Sequence, residues 1–496
     1  MPEFARTDAF VTPQLTRLKA CPSWRATMKA NAIMTRGTFM DMHLQQPHEA
    51  PLEPDPPVDA EPLPHAFGAR VLMWKQDPSV GAIGTRTAYL PGAVLPGPRD
   101  ARIAPGVPGI EQVEPNAAGD FVTQADTPQF DAVHTFAVVR QTLTMYQRVL
   151  AAAGVGMPLP WQWNSSIDSS PLRVFPHGLP DIMNAFYSRT QGCLKFGDFV
   201  PAGGAGRVFT CRSFDIVSHE TAHAILDGIK PRWLQADAPP QTGGLHESFG
   251  DLTAVFLALS QFDQCEALVA QTKANLHDTS FLSDVAEQFG LALGNRHGLR
   301  NADNDLRLSQ VGTQVHAISQ VFTGAVYDVL ADLFAHERNP EREDDAAVLH
   351  RVAAYLGGVL LRALIGAPDS AATFADVVNG MLVVVAADGK PPAYGGFIRN
   401  QFSRREVVET GAAPAGATED VYLPGAPLAA CVCDAPGARQ DRHACCGTMQ
   451  LPEYKDAACL SARWSTQPGN AGPGGLSLPT LPTSPADLEA DASLRA

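Results

Sequence analysis

The sequence predicts an α+β protein, with a mixed half over residues 66–228 and a mainly helical half over 229–410. A Pro-rich leader (1–65) precedes them, and a Cys-rich, Pro/Gly-rich extension (411–496) follows. Three observations carry the prediction. Asn184-Ala185-Phe186-Tyr187 and Leu194-Lys195-Phe196-Gly197-Asp198, set apart by a turn, read as paired strands. Residues 214–226 place apolar side chains at helical spacing, and Gly228 and Pro231 then read as a stop. Past that stop, the run ESFGDLTAVFLAL from Glu247 keeps helical periodicity with few breakers.

In chain order, the Pro-rich stretches 47–64 and 91–108 are expected to stay extended, since such composition buries too little apolar surface to fold alone. Residues 130–150, opening with Phe130-Asp131-Ala132-Val133-His134, read as a long helix. After the strands and the helix to Gly228, residues 230–243 form a loop. Helices resume at Glu247 and again near Val315, and the apolar runs 352–361 and 377–387 read as core helices flanked by charges. Gly389-Lys390-Pro391-Pro392 divides two last helical stretches between Asp369 and Phe402. In the extension, Cys431, Cys433, Cys445, Cys446 and Cys459 lie beside His443. Their C-x-C and C-C spacings do not match a C-x2-C zinc knuckle, so a metal module, local disulfides and inert thiols all stay open.

Composition bounds the function. The chain has 496 residues, 45% hydrophobic and 7% aromatic, enough for a sizeable core. With 37 basic against 52 acidic residues its net charge is −15, which argues against nucleic acid or an anionic membrane, since phosphate binding needs a basic stripe. No uninterrupted apolar run reaches the length of a bilayer span, and the N-terminus shows no basic segment followed by an apolar stretch. The expectation is a chain without a membrane span, cytoplasmic by default.

The chemistry lies in His219-Glu220-Thr221-Ala222-His223. Two histidines four apart on a helix project from one face and can bind one tetrahedral ion. Glu220 lies about 100° round the helix from His219, beside the ion, where a general base belongs. A catalytic zinc site needs a third protein ligand. The places where a third histidine would follow in HExxHxxGxxH hold Leu226 and Ile229, neither of which can serve. Glu247, on a later helix, is the candidate third ligand. Asp251 lies one turn further along the same face, placed to accept the N–H of a ligand histidine and fix its tautomer.

With Gly244-x-His246-Glu247-x-x-x-Asp251 following the first motif, the chain resembles the thermolysin-like gluzincin metalloendopeptidases over roughly residues 126–410. The resemblance implies a two-lobed fold, with a curved sheet and helices in the N-terminal lobe, a mainly helical C-terminal lobe, and one catalytic zinc in the cleft between. It implies hydrolysis of internal peptide bonds in a peptide or protein substrate, with zinc held by His219, His223 and Glu247 and with Glu220 as general base. By the same match Asn184 and Ala185 sit on an edge strand that binds the substrate backbone. Arg300, in Gly298-Leu299-Arg300-Asn301, contacts a substrate carbonyl and the third ligand, and His316, in Val315-His316-Ala317-Ile318-Ser319, donates to the oxyanion. Ile216 and Leu299 match the family's primed-side pocket, which implies cleavage before a bulky hydrophobic residue.

Several positions depart from the pattern. Val311 stands where the family usually places an Asp that tunes the oxyanion histidine, and His246 stands in place of Asn. The loop 230–243 is longer than usual, with Trp233 near the place of a substrate-facing Tyr. Asp215 matches a calcium-binding carboxylate but Ala258 replaces its partner Glu, which leaves calcium open. A rival reading is a zinc-stabilised binding protein of the same fold that has lost turnover. Oligomeric state is not legible in the sequence.

Overall fold

The chain enters its described region through β1 (Ala69–Trp74), whose alternation of buried and more exposed residues is that of a strand with one face on the core. It pairs antiparallel with β2 (Thr85–Leu90) as a separate ribbon. The structure, a computed structural model, describes residues 68–408 apart from 81–83, 107–111, 157, 202–205, 236–237 and 293–297. The Pro-rich leader 1–65 and the 411–496 extension with its five cysteines lie outside the described residues. The fold is mixed α+β, and because about 48% is helix, its small sheets serve a helical framework.

Helix α1 (Pro128–Ala152) starts where Thr127 accepts a hydrogen bond from the Phe130 amide at 3.2 Å, with Pro128 in the first turn. Strands β3 (Ile103–Pro105), β4 (Leu172–Leu179), β5 (Ala185–Ser188), β6 (Cys193–Phe199) and β7 (Val208–Phe209) form one sheet in the order β3-β4-β6-β5, with β7 also beside β6. β3, β4 and β6 run parallel, while β5 and β7 are antiparallel to β6. The segments read from sequence as paired strands are thus a hairpin, and β5 ends the order with only one strand neighbour. Helix α2 (Phe214–Ile229) also packs against β5.

Ser213 caps α2. Gly228, expected to stop this helix, lies inside it. A β-carbon there would fall 1.9 Å from the Pro160 carbonyl oxygen, so the glycine permits a close approach and the stop comes at Lys230 and Pro231. Helix α3 (Pro240–Leu259) likewise begins well before Glu247. Residues 240–243, expected as loop, are its first turn, with Pro240 at a position whose missing N–H costs nothing. Gly243 and Gly244 lie where β-carbons would come within 2.6 Å of Val315 and 2.8 Å of Ile318.

The second half continues with α4 (Phe262–Thr272), β8 (Asp284–Val285), α5 (Glu287–Ala292) and β9 (Arg300–Asn301), which pairs with β8. Then come α6 (Val315–Glu337), α7 (Asp345–Gly366), α8 (Phe374–Ala387) and α9 (Pro392–Arg404). Helix α3 packs against both α2 and α6. Ser248 and Thr323 hydroxyls meet at 2.9 Å across the α3–α6 seam, and Tyr146 on α1 reaches Thr253 on α3 at 2.6 Å. By length and composition α6 and α7 are apolar enough to cross a membrane, a length missed when only residues 352–361 of α7 stood out. Their most apolar windows are 83% and 67% buried inside the protein, so most of that surface contributes to the core.

Candidate metal centre

His219, Glu220 and His223 are buried on the α2 face that meets α3 and β5. The Nε2 atoms of His219 and His223 lie 2.9 Å apart. Glu247 on α3 brings one carboxylate oxygen to 3.4 Å from His219 Nε2 and the other to 3.7 Å from His223 Nε2. The three ligand atoms lie within 4.8 Å of one another and could hold a metal ion. Gly250 makes this approach possible, because a β-carbon there would sit 2.5 Å from Nδ1 and Cε1 of the His219 ring.

The far side of each imidazole is also engaged. Asp251 Oδ1 lies 3.0 Å from His219 Nδ1, as the one-turn spacing from Glu247 predicts. Arg300 on β9 forks onto the same Asp251 at 2.9 and 2.5 Å. His223 Nδ1 meets His246 Nδ1 at 2.7 Å with the two rings stacked. Burial pushes His246 down to about 3 and His223 well below its usual value, and a contact between two ring nitrogens needs a proton on one of them. If His223 turns its Nε2 lone pair to a cation, its Nδ1 is the donor and His246 the acceptor.

Charge at the centre favours a cation. Burial opposes protonation of His219, but hydrogen bonds to Asp251 and Glu247 outweigh it and hold the ring up to about 10. Burial would raise Glu247, yet the surrounding His316 and His223 rings bring it well below the usual carboxylate range. Asp251 is lowered too, burial being outweighed by Arg300 and His219. Carboxylates held ionised here stabilise positive charge, on a ring or on a bound ion.

Glu220 differs from the other two carboxylates. It is 0% exposed, and its Oε2 accepts the Tyr187 amide at 2.9 Å. Its Oε1 is buried without a hydrogen-bond partner among the described residues. Burial, reinforced by the charge of Glu247, pushes it up to about 7. No protein-family model matches this chain, and no curated protein matches it in sequence at a significant level.

The remaining expected residues fall round this cluster. His316, in the first turn of α6, brings Nε2 to 3.2 Å from Glu247 Oε2. Asn184 immediately precedes β5 and its side chain accepts the Ala185 amide at 2.9 Å, while Ala185 opens the strand. Ile216 is buried one turn before His219, and Leu299 is half-buried just before Arg300. Both join the core, and their tie to the site is this placement in the chain. Asp215 Oδ2 accepts the Ala286 amide at 3.2 Å and belongs to none of the three metal-capable clusters found among the described residues.

The other two such clusters are weaker. In Asp131–His177–Cys211 the carboxylate is already clamped by Arg212 at 2.7 and 3.1 Å. In His277–Asp303–Asp328 the histidine is exposed and Asp328 pairs with Arg405. Three residues at the main cluster were missed in the sequence, Tyr187, Gly250 and Gln314, as was the contact made by His246. Their roles depend on what packs against them. Only the His at 246 carried a signal, as a titratable residue beside a ligand.

Proposed function

We propose that the chain is a zinc-dependent endopeptidase of the thermolysin-like gluzincin type, two-lobed, with His219, His223 and Glu247 holding zinc in the cleft. The observation that carries this is Glu220: a buried carboxyl, pushed up to about 7, beside a metal-capable triad, with one oxygen fixed by Tyr187 and the other without a hydrogen-bond partner among the described residues. A group poised near the working pH suits a general base that must also give its proton back.

Zinc fits the donor set. Two imidazoles and one carboxylate are the ligands of a catalytic zinc with an open position. Bonds of about 2.0–2.1 Å at tetrahedral angles put ligand atoms about 3.3 Å apart, and the separations of 2.9, 3.4 and 3.7 Å bracket that value. When bound, the ion supplies a Lewis acid that brings a water's pKa to about 7.

The chain's own residues do the rest. Glu220 takes the water's proton through Oε1 and passes it to the leaving amine, while the Tyr187 amide keeps its other oxygen in place. His316 turns Nε2 toward the site, where a donor stabilises a developing oxyanion. Asp251 and His246 hold the ligand rings in the tautomers that present Nε2. The side of β5 away from β6 offers backbone groups to an extended peptide, which would add as a further strand. Ile216 and Leu299 suit a bulky hydrophobic residue after the scissile bond.

The test uses the purified full chain on casein and on a blocked hydrophobic peptide, with and without chelator, beside Glu220→Gln. The wild type should bind one zinc and cleave, the chelated protein should not, and Glu220→Gln should keep zinc and lose turnover. A wild type that binds zinc yet cleaves no better than Glu220→Gln would instead be the zinc-stabilised binding protein.

A further inference from the structure

We infer that Gln314 is a positioning residue that fixes the ring and tautomer of His316, so that the imidazole proton stands on Nε2 and faces the site. Gln314 caps α6, its Oε1 accepting the Ala317 amide at 2.7 Å. That bond identifies the carbonyl end of the side chain, so the atom 2.7 Å from His316 Nδ1 is the amide nitrogen, a donor only. Nδ1 must then accept, and the ring proton belongs on Nε2, the atom 3.2 Å from Glu247 Oε2.

The residue type supports this. Capping favours the short side chains of Ser, Thr, Asp and Asn, and a cap alone gives no reason for glutamine. One more carbon lets the amide fork, closing the helix with its oxygen and reaching the ring with its nitrogen. Val311, where the resemblance places a carboxylate, is an apolar residue packed on the core and offers no side-chain acceptor.

The inference rests on the proposed peptidase reading, and its test separates the two. Gln314→Ser keeps a cap but cannot reach Nδ1, and Gln314→Glu keeps both cap and reach but replaces the donor by an acceptor. In the zinc-loaded full chain assayed on the blocked peptide, Gln314→Ser should lower kcat about tenfold to a hundredfold with KM nearly unchanged and an unaltered Tm. In protein labelled with 15N-histidine, the His316 ring signals, identified by their loss in His316→Ala, should report a proton on Nε2. In Gln314→Glu that proton should appear on Nδ1. A merely structural cap would leave kcat of Gln314→Ser within twofold of wild type, or leave the His316 signals of Gln314→Glu unmoved, and either result overturns the inference. If the wild type itself does not cleave, the peptidase reading fails while the ring signals still decide the role of Gln314.

Discussion

Replacing Gly250 by alanine tests how the proposed metal ligands are held, because the added methyl group meets the ring of His219. Its β-carbon would lie 2.5 Å from Nδ1 and Cε1 of His219 and 2.8 Å from Cγ. Carbon atoms in contact rest about 3.5–4.0 Å apart, so something must yield by roughly 1 Å. Helices α2 and α3 are packed together and the ring sits between Asp251 and Glu247, so the ring has to tilt. Metal sites tolerate errors of only about 0.2 Å, and disturbing a ligand's support costs about 10–100-fold in affinity. Overpacking adds about 1–3 kcal/mol of lost stability. Zinc affinity, measured by competition with a chromophoric chelator, should fall at least tenfold, and Tm should drop by a few degrees. Gly244→Ala is the control. It crowds Ile318 and Phe374 on the α6 side of the same helix, so it should cost stability but keep zinc affinity. If Gly250→Ala binds zinc as wild type does, or Gly244→Ala weakens zinc equally, the ring-clash reasoning is refuted.

Two other outcomes follow from buried histidines. His246→Leu removes the ring nitrogen that meets His223 Nδ1 at 2.7 Å and should weaken zinc about 10–100-fold, whereas His246→Asn restores an acceptor and most of the affinity. Equal zinc binding in both variants would show that the His223–His246 contact is incidental. His134, buried on α1 with Nδ1 accepting the Trp74 amide at 3.2 Å, is pushed down to about 4 by burial. An unfolded histidine titrates near 6.5, so between these values the unfolded chain binds more protons and stability rises with pH. This contribution is complete above about pH 6.5, and as pH falls toward 4 it is lost, by roughly 3 kcal/mol. Urea unfolding of His134→Asn should show a shallower loss over that range, and an unchanged slope would count against it.

The site was legible where chemistry follows helical spacing. His219 and His223 four apart, with Asp251 four after Glu247, specify which atoms share a face whatever surrounds them. The edge position of β5 and the long α1 also agree with what the resemblance implies. The misread positions are those whose meaning lies in a neighbour. Gly228 reads as a breaker, but it is small because Pro160 comes close. Gln314 carries no signal in the sequence, because its role depends on His316 lying against it. Tyr187 acts on Glu220 through its backbone amide, a group every residue but proline shares, so no side-chain pattern could point to it.

Tyr187 is fastened at both ends, its amide to Glu220 and its phenol to Asp227 at 2.8 Å, near the C-terminal end of α2. A strand with only one strand neighbour is prone to slide in register and to recruit a strand from another molecule. If β5 slid by one residue, both buried bonds would break together and the Glu220 carboxyl would lose the backbone amide that holds it. The attachment that holds Glu220, the proposed general base, together with the one to Asp227 should therefore guard an edge against misassembly, and variants that loosen Tyr187 should aggregate during refolding as well as lose activity.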